Sequence, residues 1–485
     1  MGIAFDHIPY LRTGGVFTEF NASRAVQGAP RQPHRAMLFV PMLSSGTLTP
    51  GVPTRVFSID DGKAKCGVRS IGAAMIAAFK RANPYTELWV IGAADAASGV
   101  AASATVTLAV TNPKAGTICL YIAGERIAVG VQEGATKNEI ETAIADAVNA
   151  RELPVTADGA AGLKLTCTHK GALGNLIDVR FNYHQGEKLP DGVTCAVVPT
   201  FTLGATDPDL EVAVAALGAE QWNTICSPWT AVASVQLLTA ELARRWLPTV
   251  QQEGHLFIGL GAASLGALTD LVDGLASKHL TAIGAIKSPT PPWIWGAVTA
   301  AVDAAETDPA RPRKTLALPG LMPPAKPHLC MREEREVLLA CGISTFTVDA
   351  SNNVAIERLV TTHTTNALGV ADPTFVDITT PRTLSYLRYS WNDLIERKYP
   401  RHKLARDGTD FDPDQPVVTP SVIKAEALGL FKKWERAGLV EGRKQFETDL
   451  SAEIDAGDSN RMNMVMVPDL IGQFLTLASR IDFML

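Results

Sequence analysis

Along this chain, short uninterrupted apolar runs alternate with segments of helical period. From Arg35 to Ala93 the order is strand, helix, strand: RAMLFV, SIGAAMIAAFKRAN, TELWVIGA. The same rhythm returns beyond residue 204, where DLEVAVAAL precedes WNTICSP, SVQLLTAELARRWL precedes HLFIGLG, and LGALTDLVDGLAS precedes TAIGAI. Apolar runs without polar alternation are strands buried on both faces, so helices spaced between them predict an α/β sheet of parallel character covered by helices.

Between residues 98 and 203 the pattern changes to Thr, Gly and Val with period-two alternation, predicting an inserted, strand-rich α+β domain. TICLYIAGERIAVGV reads as a hairpin turning at Gly124-Glu125. One helix follows, opened by Thr136 with Glu139 three residues on, the capping-box spacing, and carrying Ile140, Ile144 and Val148 on one face. The core is therefore expected over 31–97 and again over 204–330. The Pro-rich LPGLMPPAKPH reads as a linker or long loop before a C-terminal domain over 331–459, which opens with a hairpin turning at Ser351-Asn352-Asn353. Two helices carry clear signals there. One puts Leu384, Leu387, Trp391, Leu394 and Ile395 on a single face; the other has Thr419 as N-cap, Pro420 at its first position and Gly438 after its end. The last segment, 460–485, alternates twice, ending in RIDFML, where Ile481, Phe483 and Leu485 point one way and Asp482 and Met484 the other. An apolar strand at the end of a sequence calls for something that binds it.

Composition narrows the function classes. At 485 residues, 46% hydrophobic and 19% charged, the chain has ample core, and a net charge of −6 gives no chain-wide reason to bind nucleic acid or an anionic membrane. Uncharged stretches are broken by Ser, Thr, Gly or Pro, so no membrane insertion is expected. The opening MGIAFDHIPY lacks a signal peptide's basic start and apolar run, predicting synthesis and folding in a cytoplasm. Seven cysteines, scattered and without a C-x-x-C pair, read as buried small hydrophobes.

Candidate chemistry is sparse. GLGAASLG, Gly259 to Gly266, follows a strand as a dinucleotide turn would, but Ser264 stands where the third glycine belongs, which favours a plain helix N-cap. Asp407, Asp410, Asp412 and Asp414 cluster without the following Glu of a calcium loop, leaving a solvated turn as the alternative. Arg397, Lys398, Arg401 and Lys403 crowd a helix C-terminus, where cations suit the dipole. They form either a solvated end or ionic contacts to a neighbouring subunit. No phosphate loop, zincin or hydrolase motif is present, and no cofactor or metal is expected.

Two long stretches, VTTHTTNALGVADPTFVDITTPRTLSYLRYSWNDLIERKYPRHKLARDGT and VVTPSVIKAEALGLFKKWERAGLVEGRKQFETDL, resemble the C-terminal half of contractile tail sheath proteins of Mu-like phages. LRTGGVFTEFNASRA is similar to the opening arm of that family, with Gly14 where proline is common and Phe17 where tyrosine is common. The resemblance is weakest over the inserted domain, which varies in such sheaths. It implies a structural, non-enzymatic subunit stacked helically around a tail tube, with baseplate and tail terminator proteins as further partners. It also implies extended arms, N-terminal over 1–30 and C-terminal over 460–485, that add strands to sheets of neighbouring subunits. The arm strands are then Gly15, Val16, Phe17, Thr18, Glu19 and Phe20, and Ile481, Asp482, Phe483, Met484 and Leu485. The sheath of a phage-derived bacteriocin or secretion system would share these features; a cytoplasmic α/β enzyme is the alternative of another class.

Overall fold

The apolar runs fold as the strands of one large sheet. The computed structural model describes residues 32–160, 162–195, 199–366, 368–412 and 414–484. The sheet is built from β1 (Arg35–Met42), β2 (Thr54–Val56), β3 (Glu87–Ala94), β4 (Thr224–Cys226), β5 (His255–Ala262), β6 (Leu280–Ile286), β7 (Ile343–Val348) and β8 (Val354–Arg358). Their order is β8-β7-β6-β5-β4-β1-β3-β2. The six inner strands run parallel, and β2 and β8 pair antiparallel at the two edges. Every residue of β6 is buried, as a strand covered on both faces requires.

The helices that cover this sheet or carry the chain beyond it include α1 (Ile59–Cys66), α2 (Ile71–Ala82), α3 (Val232–Trp246), α4 (Leu265–Asp270), α5 (Pro292–Ala305), α6 (Thr379–Lys398) and α7 (Pro420–Arg436). The pair α2 and α5 packs together over β1, β4 and β5, while α3 and α4 pack on β5 and β6. Helix α5 carries no amphipathic stripe because eleven of its fourteen residues are buried; a helix surrounded on all sides has no polar face to reveal its period.

Between β3 and β4 the chain leaves the sheet and forms three small ones. Ala101–Val106, Leu163–Lys170 and Val155–Asp158 make the first; Val179–Phe181, Gly116–Ile122 and Glu125–Val131 the second; Val193–Cys195 and Leu108–Val110 the third. Helix Lys137–Asn149 begins with the capping box of Thr136 and Glu139. The hairpin turns one residue earlier than the alternation suggested, at Ala123-Gly124, both with positive φ (52° and 83°) as a tight two-residue turn demands. Buried His169 fastens this region to the core. Its Nε2 accepts from the Ile71 amide (3.1 Å), so Nδ1 carries the proton and donates to Asp95 (2.9 Å).

Two expectations are corrected and one alternative is decided. The hairpin β7–β8 belongs to the large sheet and not to a separate C-terminal domain beginning at 331. Of the two readings of the Pro-rich stretch, long loop and not linker holds, because the Leu318 amide donates to Val354 O (2.8 Å) and Leu318 and Leu321 are buried. Prolines there suit a chain running along an edge strand, where few of its own N–H groups are needed. The segment LGALTDLVDGLAS is helical only over the six residues of α4.

Packing divides the chain into two compact bodies: one of Pro33–Ser385 with the segment from Gln473 on, the other including Tyr386–Gly472. The division falls within α6. In the smaller body, Trp434 of α7 donates to Ser390 Oγ of α6 (2.9 Å), and Phe431 stacks on Phe446 at 4.2 Å. Leu387 and Leu394 are buried there, as the helical face predicted.

Candidate assembly surfaces

The final segment stands out for what it leaves uncovered. No helix or strand forms from Ile471 to Met484. Within it Phe474, Leu477, Ile481, Phe483 and Met484 are 68%, 74%, 86%, 79% and 99% exposed. Single exposed apolar residues are ordinary; five within eleven positions of one stretch without helix or strand are not. Residues 480–484 are therefore not a strand in the lone chain, because among the described residues nothing pairs with their backbone; Arg480 pairs with Asp482 at 2.8 Å. The expected arm residues Gly15, Val16, Phe17, Thr18, Glu19 and Phe20, and Leu485, lie outside the described residues.

The smaller body carries a two-stranded antiparallel pair of β9 (Ser451–Ile454) and β10 (Met462–Val465), in the register Ser451↔Val465 to Ile454↔Met462. Val465 and Val467 are about half exposed beside it. Among the described residues no third strand pairs with this ribbon, which packs on α7, and an unpaired strand edge is a template for another strand.

The basic cluster is largely engaged within its own chain. Arg397 pairs with Asp393 (3.1 Å) one turn back, Lys398 with Glu426 (2.7 Å), and Lys403 Nζ donates to Gln415 Oε1 (2.8 Å); Arg401 is exposed. Tyr399 also donates to Glu426 (2.8 Å). Burial would raise the Glu426 carboxyl, but Lys398 and Tyr399 outweigh it and hold it below its ordinary value. Burial and that carboxylate together push the Tyr399 phenol up to about 12.

The remaining chemical candidates resolve as architecture. Ser264 is an N-cap, its hydroxyl accepting from the Ala267 amide (3.3 Å). The two glycines before it serve packing: a Cβ on Gly259 would lie 1.8 Å from Pro292 O, and one on Gly261 2.6 Å from Pro292 Cγ. They let α5 lie directly on β5. Asp407 accepts from the Ser421 amide (3.0 Å) in the first turn of α7, and no group of potential metal ligands occurs among the described residues. None of the seven cysteines forms a disulfide.

One buried ionic cluster is invisible in the sequence. Asp303 of α5, fully buried, pairs with Arg313 (2.9 Å) and with Arg382 of α6, whose Nη1 also donates to Asn223 O (2.6 Å) and Nη2 to Thr224 Oγ1 (2.9 Å). Burial alone would raise the Asp303 carboxyl; the guanidinium groups of Arg382 and Arg313 hold it well below the carboxylate range. The cluster pins the first turn of α6 beneath the sheet. Spacings of ten and 79 residues between partners leave no local signal of it.

Among the described residues the α/β core gathers no group of potential metal ligands, while the final segment leaves apolar side chains uncovered. Residues 204–362 match the phage tail sheath protein central domain and residues 370–484 the phage tail sheath C-terminal domain. The chain belongs to the phage tail sheath family and is a structural component of a contractile tail. The Mu-like prophage FluMu tail sheath protein of Haemophilus influenzae is 36% identical over 496 residues, all of both chains. The Mu-like group that the C-terminal stretches resemble is thus the group into which the chain falls. The sheath complex of an extracellular contractile injection system, PVC, in its contracted state shares the fold (TM-score 0.50, 8% identity, 98% of each chain). The sheath tail protein Lin1278 of Listeria innocua is 14% identical, with a TM-score of 0.49 over 91% of this chain and 93% of its own.

Proposed function

We propose that this chain polymerises helically around a tail tube and that the sheath, built long, shortens to drive the tube through a bacterial envelope for genome delivery. Copies of itself are the main partner, joined by strand exchange; the tube, baseplate and tail terminator proteins are the others. Subunits assemble in the host cytoplasm. Stored conformational energy does the work, so the subunit is no enzyme, needs no cofactor, binds no nucleic acid directly and inserts in no membrane.

The observation that carries this reading is the run of exposed apolar side chains at Ile481, Phe483 and Met484. Paired at the open edge of β9 or β10 in a neighbouring subunit, the backbone of this segment gains a ladder and its alternate side chains gain cover. The stretch Gly15 to Phe20 suits the opposite edge. Burying Ile481, Phe483 and Leu485 contributes on the order of 5 to 8 kcal/mol and about six ladder hydrogen bonds add roughly 1 kcal/mol each, against about 6 to 12 kcal/mol to order the segment and about 4 kcal/mol or more for association itself. One such contact is weak, whereas a lattice of linked contacts is strong through effective concentration. Residues 98–203, folded outside the large sheet, are assigned to the outer side of the sheath.

Negative-stain electron microscopy of the purified chain, alone and with the tail tube protein, tests this. Hollow helical tubes or stacked rings are expected. Uniform small particles under every condition, tube protein included, would contradict it.

A further inference from the structure

The donated segment has to leave its own subunit at a defined point, and the structure shows a device at that point. Lys314 Nζ donates to the carbonyls of Phe474 (2.8 Å) and Leu475 (3.2 Å) and lies 5.6 Å from the Phe474 ring centre. Gln473 Nε2 donates to Ala310 O (2.7 Å) beside it. These contacts belong to the larger body, to which the segment from Gln473 on is also assigned.

The loop carrying Lys314 is braced on both sides. Arg313 is buried against Asp303 and donates to the carbonyls of Asp308 (2.9 Å) and Arg311 (2.6 Å). Thr315 donates its amide to Ile356 O of β8 (2.7 Å) and holds a φ of +60°. A β-branched residue in the left-handed region is strained by about 1 to 3 kcal/mol and persists only where its surroundings impose it. Such strain concentrates at functional positions, and here it turns the chain so that the ammonium meets the root of the segment. A cation donating to carbonyl oxygens holds the backbone without demanding any side-chain identity, which suits a pivot.

We propose that Lys314 is the positioning residue of the C-terminal arm: it clamps Phe474 and Leu475 and so fixes the direction in which the residues beyond reach a neighbouring subunit. This rests on the reading of that segment as a donated strand. The clamp and that reading fail separately.

The test uses the full chain with Lys314→Ala, Lys314→Arg and Gln473→Ala, beside a form lacking residues 480–485. Limited chymotrypsin digestion compares cleavage after Phe474, held by the clamp, with cleavage after Phe483, an internal control beyond it. The expected result is a roughly five- to tenfold rise in the Phe474-to-Phe483 ratio for Lys314→Ala, return toward the parent ratio for Lys314→Arg, a smaller rise for Gln473→Ala, and an unchanged melting temperature. Sheath formation with the tube protein is expected to fall in step with that ratio. An unchanged ratio overturns the clamp. A raised ratio with undiminished sheath formation overturns its positioning role. If the form lacking 480–485 assembles like the parent, the donated-strand reading fails whatever the clamp does.

Discussion

Asp303 shows how much of this molecule depends on single residues far apart in the chain. Replacing it by Asn leaves two guanidinium groups buried without their counter-ion, and the expected loss of stability is about 3 to 5 kcal/mol in denaturant unfolding. His255 and His279 act in the opposite charge state. Burial holds the His255 imidazole, with Nε2 against Thr281 Oγ1 at 2.8 Å, well below its ordinary value, and burial beside Lys278 brings His279 down to about 3. A histidine held neutral in the fold but free to protonate when unfolded stabilises above pH 6.5, and that contribution is lost as pH falls from 6.5 toward the folded value. Each therefore steepens the fall of stability by up to about 1.4 kcal/mol per pH unit in that window. His279→Phe, packing at a tilt against Trp246 as the imidazole does at 5.2 Å, should flatten unfolding free energy between pH 6 and 4. An unchanged slope would assign the titration elsewhere. Nothing local in the sequence marks Asp303, His255 or His279, since burial and partners come from elements brought together by the sheet. The alternation at Ile481 and Phe483, by contrast, is a local property that can be read directly, and the structure leaves both side chains exposed without forming a strand.

At the scale of elements, apolar runs and caps located most of the core. Strands β1, β3, β4, β5 and β6 each coincide with an apolar run, and Thr136, Ser264 and Thr419 each stand directly before a helix. What could not be read was α5, uniformly apolar, and the place of β7 and β8, whose hairpin announces itself without announcing which sheet it joins. The glycines of GLGAASLG illustrate a motif read by its spacing alone: contact with α5, not with a phosphate, is what they allow. Gly259→Ala is expected to force α5 away from β5 and to cost roughly 3 kcal/mol or more, measured as a lower denaturant midpoint. A stable Gly259→Ala protein would show that the helix does not lie as close to the strand as described.

At the scale of the whole molecule, the central claim is that the fold is finished by other copies of itself. A side chain as exposed as Phe483 contributes almost nothing to its own subunit, so Phe483→Asp should leave the melting temperature unchanged while abolishing assembly. Equal damage to both would mean that the segment packs at home. The family was legible because it rests on long stretches of helix and loop in the C-terminal half. The pair β9–β10, proposed above as the acceptor, was not, since a four-residue ribbon differs little in sequence from any surface hairpin.

The most direct measurement is electron microscopy of the chain lacking residues 480–485, mixed with the tail tube protein and compared with the full chain at equal concentration. The account predicts a folded truncated subunit with the parent's melting temperature that forms no sheath, while the full chain forms ordered helical tubes. Ordered sheath from the truncated chain, or its failure to fold, would contradict it.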